Sequence, residues 1–155
     1  MRRSLTTAVA VLTVATLAAV PSQAAVKKKP KPIKGSYTLQ LPPDPTPNVF
    51  INAPGAPDGC LGVLPVSIDN HPFTVPAAGT LKVVLDSVSP IPDNPAGPDW
   101  DLWLYDSSGF LAGSHSATDH EEVVLKFKKK TPVTFQVCNL TGTPDATVSY
   151  TFTYR

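Results

Sequence analysis

The sequence predicts an all-β protein, an antiparallel β-sandwich of about eight strands with a jelly-roll-like order. Three observations carry that expectation. Short apolar runs alternate with polar residues at a period of two, as half-buried strands do. No window sustains a helical period. Finally, 18 prolines and 9 glycines interrupt the chain every few residues, which suits strands joined by turns and leaves little room for helices.

In chain order, residues 37–41 alternate and stop at Pro42-Pro43, and residues 48–51 form a short strand stopped by Pro54-Gly55. The segment 60–68 has no clear period. Residues 71–75 lead into an Ala77-Ala78-Gly79 turn, and residues 80–85 are rich in the branched side chains that strands favour. A proline-containing loop, 87–98, precedes the most distinctive stretch, Asp99-Trp100-Asp101-Leu102-Trp103-Leu104-Tyr105-Asp106, which ends in a Ser107-Ser108-Gly109 turn. Further strands are expected at 110–113, 122–127, 132–138 and 146–154; on the last, Val148, Tyr150, Phe152 and Tyr154 share a face.

Alternation divides the 99–106 strand sharply. Trp100, Leu102, Leu104 and Asp106 fall on one face and Asp99, Asp101, Trp103 and Tyr105 on the other. The first set can feed a core. The second is a candidate ligand-binding face built on Asp101, Trp103 and Tyr105, since planar rings suit sugar or peptide recognition. Asp93, Asn94, Asp99, Asp101 and Asp106 also supply hard oxygen donors of the kind calcium needs. The plainer expectation for Asp101 and Asp106 is that they bond backbone amides in the turn.

The pattern Asp99-x-Asp101-Leu102-x-Leu104-x-Asp106-x-x-Gly109 resembles the strand and turn of the bacterial pre-peptidase C-terminal domain, which is related to the collagen-binding domains of secreted collagenases. Residues 79–85, Glu121-Glu122-Val123 and 132–137 match neighbouring strands of that family in order, so the resemblance spans about residues 72–155. It implies a non-catalytic β-sandwich of about eight strands, usually appended to a secreted hydrolase. Here no enzyme precedes the domain, so the resemblance implies a free-standing module. Some collagen-binding relatives hold calcium through an acidic linker, but the corresponding segment here is basic, and that site does not carry over.

Met1-Arg2-Arg3, an apolar run to Val20 and Ser22-Gln23-Ala24 read as a secretory signal peptide over residues 1–24. The apolar run is shorter than a membrane span, so no transmembrane segment is expected after cleavage and the protein is expected to be secreted. Residues 25–35 form a Lys- and Pro-rich arm, and residues 36–155 a single domain. The arm carries Lys27, Lys28, Lys29, Lys31 and Lys34, which suit electrostatic contact with an anionic cell envelope. Without Arg2 and Arg3 the chain has 11 basic against 12 acidic residues, and with the arm set aside the body reads as acidic. Nucleic acid is not an expected partner, because basic residues are not interleaved with aromatics. Cys60 and Cys138 are an even pair in an exported chain and are expected to form a disulfide.

Ser114-His115-Ser116 and Asp119-His120-Glu121 gather hydroxyl, imidazole and carboxylate groups in one polar loop. No Gly-x-Ser-x-Gly elbow accompanies them. The expectation is therefore a secreted, non-catalytic binding or accessory protein with an extracellular protein or glycan as partner and no cofactor. The alternatives are a calcium-dependent carbohydrate- or matrix-protein-binding module and a small secreted hydrolase.

Overall fold

The computed structural model describes residues 28–45, 59–87, 99–116 and 119–155. The expected signal peptide, Lys27, the strand expected at 48–51, Asp93 and Asn94 lie outside them. Among the described residues there are eight strands: β1 Ile33–Gln40, β2 Ile68–Val75, β3 Gly79–Ser87, β4 Asp99–Asp106, β5 Gly109–Ser114, β6 His120–Phe127, β7 Thr131–Thr141 and β8 Asp145–Tyr154. One 3₁₀ turn, Pro65–Ser67, precedes β2. Among the described residues no helix is long and apolar enough to cross a membrane.

The strands form two antiparallel sheets of four, ordered β1-β8-β3-β6 and β2-β7-β4-β5. Their inner faces close on one core, in which Trp100, Leu102, Leu104, Phe135, Val148 and Phe152 are fully buried. Period-two alternation explains this placement: β3 reads buried at Gly79, Leu81, Val83 and Leu85 and open between them. Of the inward set expected for β4, Trp100, Leu102 and Leu104 enter the core, while Asp106, beyond the register shift at Leu104/Tyr105, does not. Two register shifts, at Asp99/Trp100 and at Leu104/Tyr105, bend this strand.

The first strand begins at Ile33, so Lys34 and Gly35, expected in the arm, are part of the sheet. Ile33 lies opposite Phe152, and Gly79 lies opposite both Tyr154 and Phe127. The start of β1, the end of β8 and the β6–β7 hairpin therefore meet at one end of the sandwich. The start of β4, the end of β5 and the start of β6 meet at the other.

Candidate functional site

The outer face of the second sheet is where the sequence places its binding residues. Asp101 and Trp103 are buried there, and Tyr105 is half-buried. The cover is a second apolar cluster of Cys60, Val63, Trp103, Cys138 and Leu140, with Ile68 and Tyr105 packed against it. A disulfide joins Cys60 to Cys138 across a separation of 78 residues, with Cα atoms 5.8 Å apart. It holds the segment 59–67 over β7 and β4. Trp103 is only 3% exposed, which corrects the expectation that its ring forms an open contact platform.

Local geometry explains why the ring fits. Trp103 is cross-strand from Gly113, where a Cβ would collide with the indole, so glycine makes room for the ring. The His115 imidazole then stacks on the indole at a centroid distance of 5.2 Å. Gly59 sits at φ +114°, in the left-handed region that favours glycine, and the Tyr105 hydroxyl occupies the space its side chain would take. The Cys60 amide donates to Gln136 Oε1 at 3.1 Å, and Gln136 Nε2 donates to Asn70 Oδ1 at 3.0 Å. Asp44 holds the same segment by accepting from the Leu64 amide at 3.1 Å.

The anchored segment turns Val63 inward and leaves Leu61, Leu64 and Val66 exposed, at 67%, 40% and 61%. These three were missed in the sequence. The alternation of Leu61, Val63 and Pro65 against Gly62, Leu64 and Val66 is a weak signal because both sets contain apolar residues.

Among the described residues, the expected calcium donors do not converge. Asp106 closes the β4–β5 turn, accepting from the Ser108 amide at 2.7 Å, as the plainer expectation held. The Ser108 hydroxyl and amide keep its carboxyl below the usual range. It lies roughly 17 Å along the strand from Asp101. Among the described residues no three His, Cys, Asp or Glu side chains form a group able to hold a metal ion. Of the expected donors, β4 carries Asp99 and Asp101 at one end and Asp106 at the other, while Asp93 and Asn94 lie outside the described residues.

Asp101 has no exposed surface, and neither of its carboxylate oxygens has a hydrogen-bond partner; the amide bonds expected for it are absent. Burial, then the charges of Asp99 and Glu121, pushes its carboxyl up to about 7. The Trp103 indole N–H is close enough to offset a little of this, without the geometry of a hydrogen bond. Asp99 is raised in the same way, by burial and then by Glu121.

The polar loop after β5 is organised by Glu121, which alternation turns inward at the start of β6. It accepts from the Ser116 amide at 2.8 Å and from the hydroxyls of both Ser114 and Ser116. His120 instead faces Asp86, with Nδ1 2.6 Å from Oδ1, and Asp86 raises its pKa. Serine, histidine and acid therefore meet here as loop-fastening contacts. Asn139 is likewise internal: it is buried and its Nδ2 donates to the carbonyls of Leu41 and Thr143 at 2.6 and 3.1 Å.

No family model matches the chain. No curated protein matches it either. Among solved structures, the chain is similar to the crystal structure of the Yersinia pseudotuberculosis-derived mitogen, at 15% identity and a TM-score of 0.31 over 57% of this chain and 86% of that one. A likeness that slight carries no functional argument.

Proposed function

We propose that the chain is an exported, non-catalytic binding module of the pre-peptidase C-terminal type, and that it meets its partner through the segment 59–67. The observation that carries this reading is the exposure of Leu61, Leu64 and Val66 on a segment fastened at Cys60 and at Leu64. Apolar side chains held in water on a rigid support contribute to association, because little ordering entropy remains to be lost on binding. The Cys60–Cys138 disulfide supports an oxidising, extracellular setting. The partner class is an extracellular protein or glycan.

The test is retention on fibrillar collagen and on insoluble glycans, comparing the wild-type protein with a Leu61→Ser/Val66→Ser double variant. Both positions are exposed, so the variant keeps its melting temperature. Loss of retention in the variant supports the reading. Equal retention of both proteins assigns binding to another surface, and failure of the wild type on every ligand removes the binding role for these partners.

A further inference from the structure

Net charge near zero conceals a molecule with two poles. Among the described residues there are ten Lys and Arg side chains, and nine of them gather at the end of the sandwich where β1 begins. Lys28, Lys29, Lys31 and Lys34 arrive with the arm and β1; Lys126, Lys128, Lys129 and Lys130 with the β6–β7 hairpin; and Arg155 with the end of β8. The pairings Ile33 with Phe152 and Gly79 with both Phe127 and Tyr154 bring these three segments together. All nine are exposed, and among the described residues none is in an ion pair. The tenth, Lys82, lies mid-sheet and is paired with Glu122 at 2.6 Å.

The carboxylates are distributed the other way. Of the ten Asp and Glu side chains described, Asp106 alone is at the basic end. Cross-strand neighbours place the others in the opposite half: Asp145 faces Gln40, Asp86 faces His120 and Asp99 faces Thr141. Strands of eight to ten residues separate the poles by roughly 25 Å, several times the ~8 Å screening length at physiological ionic strength. A partner at the basic end therefore meets its local charge and not the near-zero total. The acidic body read from the sequence therefore carries a basic end of its own: six of the nine cations at this pole, Lys34, Lys126, Lys128, Lys129, Lys130 and Arg155, belong to β1, the β6–β7 hairpin and the end of β8.

The basic end is also concave. A recess of about 440 Å³ opens between the start of β3 and the ends of β6 and β8, lined by Thr80, Lys126, Lys128, Thr153 and Arg155. Cations from the β6–β7 hairpin and the end of β8 around a recess, with those of the arm beyond β8 at the same end, suit a ligand that carries several anionic groups in a row. The recess favours a flexible chain that can enter it over a flat lipid surface.

We propose that this end is a docking surface for a linear polyanion of the extracellular space, with the arm and the β6–β7 hairpin flanking the chain and Arg155 with Lys126 receiving it in the recess. The surface is distinct from the segment 59–67, which covers the outer face of the second sheet, so either one can fail without the other.

Binding of long-chain inorganic polyphosphate to the full protein, followed by fluorescence anisotropy at several salt concentrations, tests this. The expected result is binding that weakens steeply with salt, and at least a tenfold loss at low salt in Lys128→Ala/Lys129→Ala/Lys130→Ala. The triple variant also lowers the slope of log affinity against log salt by about 2, at roughly 0.7 per contact. Lys82→Ala and Leu61→Ser/Val66→Ser bind as the wild type does. An unchanged affinity in the triple variant overturns the proposal. So does binding to vesicles containing 30% phosphatidylglycerol with none to polyphosphate, which assigns the surface to a membrane. Self-association of the wild type without polyanion, lost in the triple variant, would overturn it in favour of a second copy's acidic pole.

Discussion

The imidazole of His115 lies on the indole of Trp103 with the two planes 8° from parallel and their centroids 5.2 Å apart. The exposed ring caps the buried one from the edge of the second sheet, while the disulfide segment covers the same face from the other side. Trp103 is thus the centre of a small second core.

Truncating Trp103 is expected to cost about 3–5 kcal/mol, the usual loss for a buried large aromatic. His115→Ala is expected to cost under ~1 kcal/mol, because His115 is exposed and contributes mainly one stacking contact. Denaturant midpoints at constant slope measure both. A Trp103→Ala protein as stable as the wild type would return this ring to the surface.

How the sequence relates to this site divides along β4. Its inward residues were legible because Leu102 and Leu104 alternate with polar and aromatic neighbours, and a strand has only two faces. The outward residues were placed correctly, but their cover was not legible. Trp103 and Tyr105 are roofed by Cys60 and Val63, which precede them by some forty positions in a segment without a period. The pair Cys60 and Cys138 could be read as a bridge from compartment and count, whereas what the bridge would lay over the sheet depends on register. The same holds for the lysines: Lys29 and Lys129 come to the same end of the sandwich, near opposite edges of the first sheet, only through the Ile33 to Phe152 pairing and the β3 ladder.

Opening the disulfide tests the second core as a unit. By loop-closure entropy, a bridge spanning 78 positions contributes about 4 to 5 kcal/mol. Cys60→Ala/Cys138→Ala is expected to lose much of this and to shift Trp103 emission to the red as water reaches the ring. A stable double variant with unchanged emission would mean that Val63 and the Asp44 to Leu64 bond hold the segment unaided.

Calcium is expected to leave the protein unchanged. The described carboxylates of β4 do not converge on one ion, and Asp106 is already engaged by Ser108. Melting in millimolar calcium and in chelator should agree within about a degree. A rise of several degrees with calcium would show that ligation stabilises the folded state and would restore the calcium-dependent reading.

The buried carboxylate of Asp101 gives the protein a pH dependence of definite sign. Burial lifts its folded-state pKa to about 7 from the ordinary 3.8. Between those values the folded state holds the proton more strongly than the unfolded state, so stability falls as pH rises from about 4 through 7. Asp99, raised by burial and Glu121, acts in the same direction. The shift at Asp101 alone corresponds to about 4 kcal/mol at most, because burial of the charge leaves it without a compensating hydrogen bond. Asp101→Asn keeps the shape and removes the charge. Denaturation of the two proteins at pH 4.5 and 8 is therefore expected to show similar stabilities at the lower pH and a more stable variant at the higher. A wild type more stable at pH 8, with the variant weakened there, would show that the Asp101 carboxylate is held by a favourable partner when charged.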